Sequence, residues 1–495
     1  MTPSPARPPL GRRLAKGPGL AVLLATLLLP LSAGAGLRPA YGGAVRILLP
    51  GAPKVSDPAF AVEPADLLLV RALHATPLEI DAQGRLVPGL LEEVPAAEAG
   101  GRAFRLRLRP GLRFADGTPL GAADLAQGLE RLISRQSPHA WVALPVLGAD
   151  ALLAGHAASL AGVQVLSDRE VLVTLAFPMP EWPWALAAPP AAVVSPGGVG
   201  AGPFVVQSRD ASTVRLAVNP YHWRGRAFAD EIVLSAADAR AAARALSRGE
   251  AELALRPEAA AGVAACLPTP PLLVTLAAVN PRRLGSGADG VRALVNGLDR
   301  TALGRLYARG PSAPLATFLP PAVFGAAPAT PAPAAPAAAV GGPPSSRLVL
   351  LASADAPDQR AVAERLQVKL FDGGVRAAAE VEDGPRFAAR LAAEDYDLAL
   401  VPVPVLSLAP ALAAGQVALS TRGPAAAVRV MAELAGLTPE AALARAAELT
   451  RSLDLVPLFA TGVRASRAAG LEGLAIHADG GLDPGDLWRR RGEAR

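Results

Sequence analysis

Phe104, Leu106 and Leu108 interleave with Arg105, Arg107 and Arg109, the period of two that marks a strand with one wet face over Ala103 to Leu108. Short apolar runs at Ala44 to Leu49, Glu231 to Leu234, Leu272 to Ala278, Arg347 to Leu351 and Asp397 to Val401 predict further strands. Helical spacing predicts helices over Ala65 to Ala75, Ala122 to Ser134, Ala237 to Arg248, Gly290 to Tyr307, Pro357 to Phe371, Pro385 to Ala393 and Thr438 to Leu453. Pro77 to Val87 reads as strand, polar turn and strand. Strands and helices alternate, so the expected fold is mixed α/β in two sizeable halves.

Turn residues punctuate this pattern. Ser56-Asp57-Pro58, Asp116-Gly117-Thr118-Pro119, Gly197 to Pro203 and Asn219-Pro220-Tyr221-His222-Trp223-Arg224-Gly225 each combine Gly, Pro, Asn or Asp at tight positions. From Pro311 to Ser346 the composition shifts to Pro, Ala and Gly, which predicts a surface linker over 311–346.

The N-terminus carries an address. Arg7, Arg12, Arg13 and Lys16 precede an apolar run from Gly19 to Leu31, and Ser32-Ala33-Gly34-Ala35 has the small-residue shape of a cleavage site. Residues 1–35 are therefore expected to be a cleaved secretory signal, too short in its apolar core to cross a bilayer. No cysteine follows that run, which leaves no site for a lipid anchor. A periplasmic location is expected.

The chain has 495 residues, with 51% hydrophobic and 18% charged residues, enough apolar material for two or three packed units. The mean hydropathy of +0.32 comes from Ala, Leu and Val, since no later stretch approaches the ~18 consecutive apolar residues of a membrane span. Arg and Lys number 48 against 43 acidic residues, and lysine stands only at Lys16, Lys54 and Lys369. With no basic run and 4% aromatic residues, a nucleic-acid partner is not expected. The single cysteine, Cys266, forms no internal disulfide.

Candidate chemistry is sparse. The histidines His74, His139, His156, His222 and His477 show no metal-ligand spacing. Gly198 to Gly202 lacks the Lys-Ser/Thr of a phosphate loop and precedes a strand. Cys266 lies in Ala264-Ala265-Cys266-Leu267 without a basic neighbour, and no Gly-x-Ser-x-Gly elbow occurs. Asp116 in a turn and Asp124 near a helix start read as structural. Neither an enzyme nor a cofactor or metal is expected.

Taken in order, these motifs resemble the extracellular solute-binding proteins of family 5, the oligopeptide, dipeptide and nickel receptors of bacterial ABC importers. The block from Phe104 to Leu125, with Asp116-Gly117-Thr118-Pro119-Leu120 at its turn, is similar to the family's strand, turn and helix. Gly200-Ala201-Gly202-Pro203-Phe204, Asn219 to Gly225, Ala245 to Leu253, Val291 to Arg300, Glu394-Asp395-Tyr396-Asp397-Leu398 and Val456-Pro457-Leu458-Phe459 follow in the family's order. The resemblance implies a two-lobed periplasmic binding protein that closes by hinge motion. Lobe I would take 36–270 and 464–495, and lobe II 271–463, with crossing strands near Leu272 to Asn280 and Leu455 to Val463. It also implies a monomer that delivers a peptide or peptide-like solute to an ABC permease in the inner membrane.

The same resemblance places ligand contacts at Val62 and Glu63, at Asn280 near the lobe crossing, and at Val403 to Ser407. Peptide-binding relatives follow the Tyr-Asp strand with a Trp and an acidic residue, whereas this chain has Val401-Pro402-Val403-Pro404-Val405-Leu406-Ser407. A cationic ligand end has no counter-charge in that stretch, so an apolar cleft and a weakly charged ligand are expected. The alternative is a receptor or structural descendant that keeps the fold without serving transport.

Overall fold

The structure, a computed structural model, describes residues 39–134, 136–256, 263, 265–307, 310–325, 347–356 and 358–490. The expected signal segment and residues 326–346 of the expected linker lie outside the described residues.

Ala44–Leu49 lies in the middle of a seven-stranded sheet with the order Ala265–Pro268, Arg464–Arg467, Leu253–Arg256, Ala44–Leu49, Glu231–Ala236, Thr213–Val218 and Phe204–Arg209. It runs parallel to both neighbours, and the other pairings are antiparallel. Because side chains alternate along a strand, Val45, Ile47 and Leu49 pack with Leu68, Leu69 and Leu73 of the helix Pro64–Leu73. Leu48 points the other way, against Ala242 and Leu246 of the helix Ala239–Ser247. Asp238 starts that helix by accepting the Ala241 N–H at 2.7 Å.

A four-stranded antiparallel sheet, Ala97–Glu98, Ala103–Arg107, Glu170–Thr174 and Val163–Ser167, carries the alternating block. Phe104 and Leu106 are fully buried, while Arg105 on the wet face donates to Glu170 at 3.0 Å. In the following turn Asp116 accepts from the Thr118 N–H and hydroxyl at 2.9 and 2.6 Å, and Asp124 accepts the Gly121 N–H at 2.8 Å. Both carboxylates are spent on local structure.

The second half is a six-stranded sheet with the order Ser312–Pro314, Leu455–Thr461, Leu273–Val279, Leu398–Pro404, Leu348–Ser353 and Ala377–Glu382. Leu348–Ser353 runs parallel to both of its neighbours. The chain leaves it through the helix Gln359–Asp372 to the strand on one side and returns through Gly384–Ala392 to the strand on the other. Strand order therefore reverses at Leu348–Ser353, which opens a crevice beyond its carboxyl end.

The chain passes between the two large sheets at 269–272 and again at 462–463. The crossings are tied together: the Thr269 N–H donates to the Val463 carbonyl at 2.8 Å, and the Val463 N–H donates to Thr269 Oγ1 at 2.9 Å. Gly462 is required for this approach, since a Cβ there would lie 2.8 Å from both the carbonyl and the hydroxyl of Thr269. The architecture is the expected two-lobed α/β fold.

Three expectations need correction. The helix over Gly290 to Tyr307 is two helices, Ala288–Asn296 and Arg300–Tyr307, because Gly297 ends the first and Asp299 accepts the Ala302 N–H at 2.9 Å to start the second. The first part of the expected linker is packed: Ser312–Pro314 pairs with Leu455–Thr461 as an edge strand, where proline is tolerated. Leu315, Phe318, Leu319 and Val323 behind it are buried. Finally, the helices Pro410–Arg422 and Pro424–Leu434 were not anticipated.

Those two helices join the halves. Nine of the 13 residues of Pro410–Arg422 are buried, and with Pro424–Leu434 it packs on the short helical turns Ala140–Val142 and Trp182–Ala187 of the first half. Trp182 Nε1 donates to the Val142 carbonyl at 3.0 Å, which locks the two turns together. One hydrophobic core then runs from Trp141 and Trp182 through Leu412 and Val417 to Met431.

Candidate functional site

The segment 53–63 leads from the seven-stranded sheet to the helix Pro64–Leu73, and six side chains hold it. Arg209 donates to the Pro53 carbonyl at 2.6 Å, and buried Asp66 accepts the Lys54 and Val55 N–H groups at 2.6 and 3.0 Å. His74 Nε2 donates to the Ser56 carbonyl at 2.9 Å, and Arg131 donates to Asp57 at 2.5 Å. Ser137 Oγ donates to the Ala59 carbonyl at 3.0 Å and His139 Nε2 to the Ala61 carbonyl at 2.7 Å. Both imidazoles are buried and therefore neutral: burial pulls each down to about 4, only partly opposed by the hydrogen bond it donates.

This clamp presents Phe60, Val62 and Glu63 at the surface. Val62 makes no backbone hydrogen bond among the described residues. Glu63 stands at the N-cap of Pro64–Leu73 without using its side chain as a cap. Partial burial, then the charges of Asp66 and of Asp355, push the Glu63 carboxyl above its ordinary value, and Lys54 opposes them. Asp355, whose charge adds to that rise, follows Leu348–Ser353 in the second half.

The expected contact residues separate. Val62 and Glu63 are exposed on the held loop 53–63. Asn280 does not lie at the crossing. It follows Leu273–Val279 at the far end, about 20 Å along the strand from 269–272. There its Nδ2 donates to the Glu394 and Tyr396 carbonyls at 2.9 and 3.0 Å, and its Oδ1 accepts the Arg282 N–H at 3.1 Å. Val403 is buried within Leu398–Pro404 opposite Val274, and Ser407 is buried with its Oγ accepting the Ala409 N–H at 3.3 Å. These three residues belong to the packing of the second half.

A separate small cavity of about 60 Å³ lies within the first half, lined by His74, His222, His477, Arg71, Glu79 and Arg224 among others. Arg224 pairs with Glu79 and, at 3.2 Å, with Asp483, and Arg71 pairs with Asp479. Burial still lifts Glu79 to about 6. The space suits a few waters. No group of His, Cys, Asp or Glu among the described residues has metal-binding geometry, and none of the described helices is long and apolar enough to cross a membrane.

Two α/β lobes, joined by a hydrogen-bonded double crossing, define the fold of a two-lobed periplasmic binding protein. The chain belongs to the bacterial extracellular solute-binding proteins, family 5, whose middle region matches residues 85–404. The match makes it a binding protein and not an enzyme. Its fold is similar to that of the Escherichia coli murein tripeptide binding protein MppA, at 18% identity over 92% of this chain and 99% of that one, with a TM-score of 0.76. Against the unliganded open form of MppA the TM-score is 0.63 over the same shares at 19% identity. Haemophilus influenzae OppA in complex with RPPGFSPFR gives 0.74 at 16% identity over 92% and 99%.

Two curated proteins of Escherichia coli K12 share shorter stretches. The probable deoxycholate-binding periplasmic protein YgiS is 31% identical over 142 residues, 28% of this chain and 26% of its own length. The periplasmic murein peptide-binding protein MppA is 29% identical over 133 residues, 26% of this chain and 24% of its own. The aligned stretch spans about a quarter of each relative.

Proposed function

We propose that the protein is exported to the periplasm by a cleaved signal, captures a peptide or peptide-like solute between its lobes as a monomer, and delivers it to an ABC permease. The observation that carries this reading is the clamped segment 53–63. Six side chains hold it in place and leave the backbone of Val62 free, which suits an extended ligand that pairs main chain to main chain. The likeness in fold to the murein tripeptide binding protein MppA and to OppA in complex with RPPGFSPFR supports the same solute class. Lobe I would hold 36–270 and 464–495, and lobe II 271–463.

Native mass spectrometry of the protein purified from its periplasm, with release and identification of the bound small molecule, tests the reading. A short peptide is the expected passenger. A sugar, a nickel chelate or deoxycholate would overturn it.

A second reading, a descendant that keeps the fold without serving transport, is favoured by the apolar seam that joins the halves directly. An empty protein that shows no thermal shift with peptides would support that reading.

A further inference from the structure

Between Ala59 and Val62 the held segment alternates as an extended strand does: Ala59 and Ala61 are buried, while Phe60 and Val62 are 40% and 37% exposed. The buried side rests on two residues of one short stretch. Ser137 Oγ donates to the Ala59 carbonyl at 3.0 Å and accepts the His139 N–H at 3.2 Å, and His139 Nε2 donates to the Ala61 carbonyl at 2.7 Å. His139 also begins the turn Ala140–Val142, where its own carbonyl accepts the Val142 N–H at 3.1 Å. On that turn sit the helices Pro410–Arg422 and Pro424–Leu434 of the second half, and fully buried Trp141 belongs to the core they share. One residue thus has its ring on the held segment and its backbone at the seam. Ala61 cannot move away without breaking this bond or carrying Ala140–Val142 with it.

The ring is buried, and its Nδ1 has no partner among the described residues. Burial and the Ala61 carbonyl set its proton affinity, and no charged side chain among the described residues contributes. The charged and titratable groups of the clamp, Asp66, His74, Arg131 and Asp57, hold residues 54–57 instead. A proton on Nδ1 would place an unpaired charge in the core, so charging the ring works against its place behind Ala61.

We infer that His139 is a positioning residue that couples the segment 59–62 to the seam, so that the segment and the contact between the halves shift together. That a solute lies along this segment rests on the proposed function. With a solute there, displacement of Ala61 reaches the helices 410–434 through a single ring and the turn it begins.

The link is read without a solute, by hydrogen exchange at pH 7 on His139→Leu and on His74→Leu, which removes the donor to Ser56 elsewhere in the clamp. Both variants should loosen 53–63, but only His139→Leu should also speed exchange in 410–434, by about tenfold or more. His139→Gln, which keeps a donor for Ala61, should return both segments toward wild-type rates. Unchanged exchange of 410–434 in His139→Leu, or equal loosening of those helices in both variants, overturns the coupling. Should His139→Leu not fold, small-angle scattering of the wild type and His139→Gln at pH 7 and pH 5 decides. A larger expansion in acid for the wild type supports the link, and equal expansion overturns it. Either result leaves the peptide reading to the identity of the bound passenger.

Discussion

The carboxylate of Glu181 receives the backbone N–H of Gly436 on both oxygens, at 3.1 and 3.2 Å. Glu181 precedes the turn Trp182–Ala187 in the first half, and Gly436 follows Pro424–Leu434 in the second. Burial raises the Glu181 carboxyl above its ordinary value, and the Gly436 N–H works against that rise. This contact closes the rim of the apolar seam.

Glu181→Ala should therefore open the molecule. Loss of a charge-assisted hydrogen bond at a partly exposed site is worth about 1 kcal/mol, or roughly a fivefold shift toward separated halves. Small-angle scattering should show a larger radius of gyration for the variant without solute, and an unchanged radius would remove the contact from the closing mechanism.

Acid should weaken the fold through His74 and His139. Their folded-state values lie near 4, below the ordinary 6.5, so the unfolded chain binds more protons between those values. Stability is then full above about pH 6.5 and falls as pH drops toward 4, by about 3 kcal/mol for each ring. Glu79, lifted to about 6, acts in the opposite sense between 4.5 and 6 and offsets part of one histidine. Denaturant melts at pH 7 and pH 5 should differ by several kcal/mol in the wild type and by less in His139→Gln, which keeps a donor for Ala61 and does not titrate.

Glycines at two close contacts should respond differently to a methyl group. At Gly200 a Cβ would lie 2.1 Å from the Leu73 carbonyl and 2.3 Å from His74 Nδ1, and neither neighbour has room to retreat. Gly200→Ala should cost about 3 kcal/mol or more. At Gly415 the Cβ would meet Met431 Cγ and Sδ at 2.4 and 2.5 Å, a side chain that can repack, so Gly415→Ala should cost about 1 kcal/mol. Equal losses in thermal melts would contradict this ranking.

Arg422 should prove intolerant of replacement. Its guanidinium donates to the carbonyls of Leu453 at 2.8 Å and Val279 at 2.9 Å, and to the Tyr396 hydroxyl at 2.9 Å. Arg422→Met would leave several of these acceptors unmet, and a loss of about 3 kcal/mol in denaturant unfolding is expected.

The parts legible in the sequence were those whose signal is local. The strand through Phe104 and Leu106 shows its period of two, and the Asp116 turn its own hydrogen-bonding residues, so both appear where they were expected. Pro410–Arg422 was illegible for the opposite reason: with Ala411 to Ala418 buried without a break, it has no polar face and hence no 3.6-residue stripe. The same limit applies to the site. Glu63 is visible from its neighbours, but the side chains that hold its loop, His74, Arg131, Ser137 and His139, come together only on folding. Asn280 misled because a polar residue at a strand end looks alike at either end, and only the connections of Leu273–Val279 tell which end adjoins the crossing.

The strand Arg464–Arg467 lies between Leu253–Arg256 and Ala265–Pro268. Those two segments have no ladder to each other and must wait for a partner encoded long after them. Such long sequence separation slows folding. A nascent chain stopped before Arg464 would hold an open sheet edge, a template for pairing with other chains. The order of synthesis thus keeps this sheet unfinished until Arg464–Arg467 has emerged.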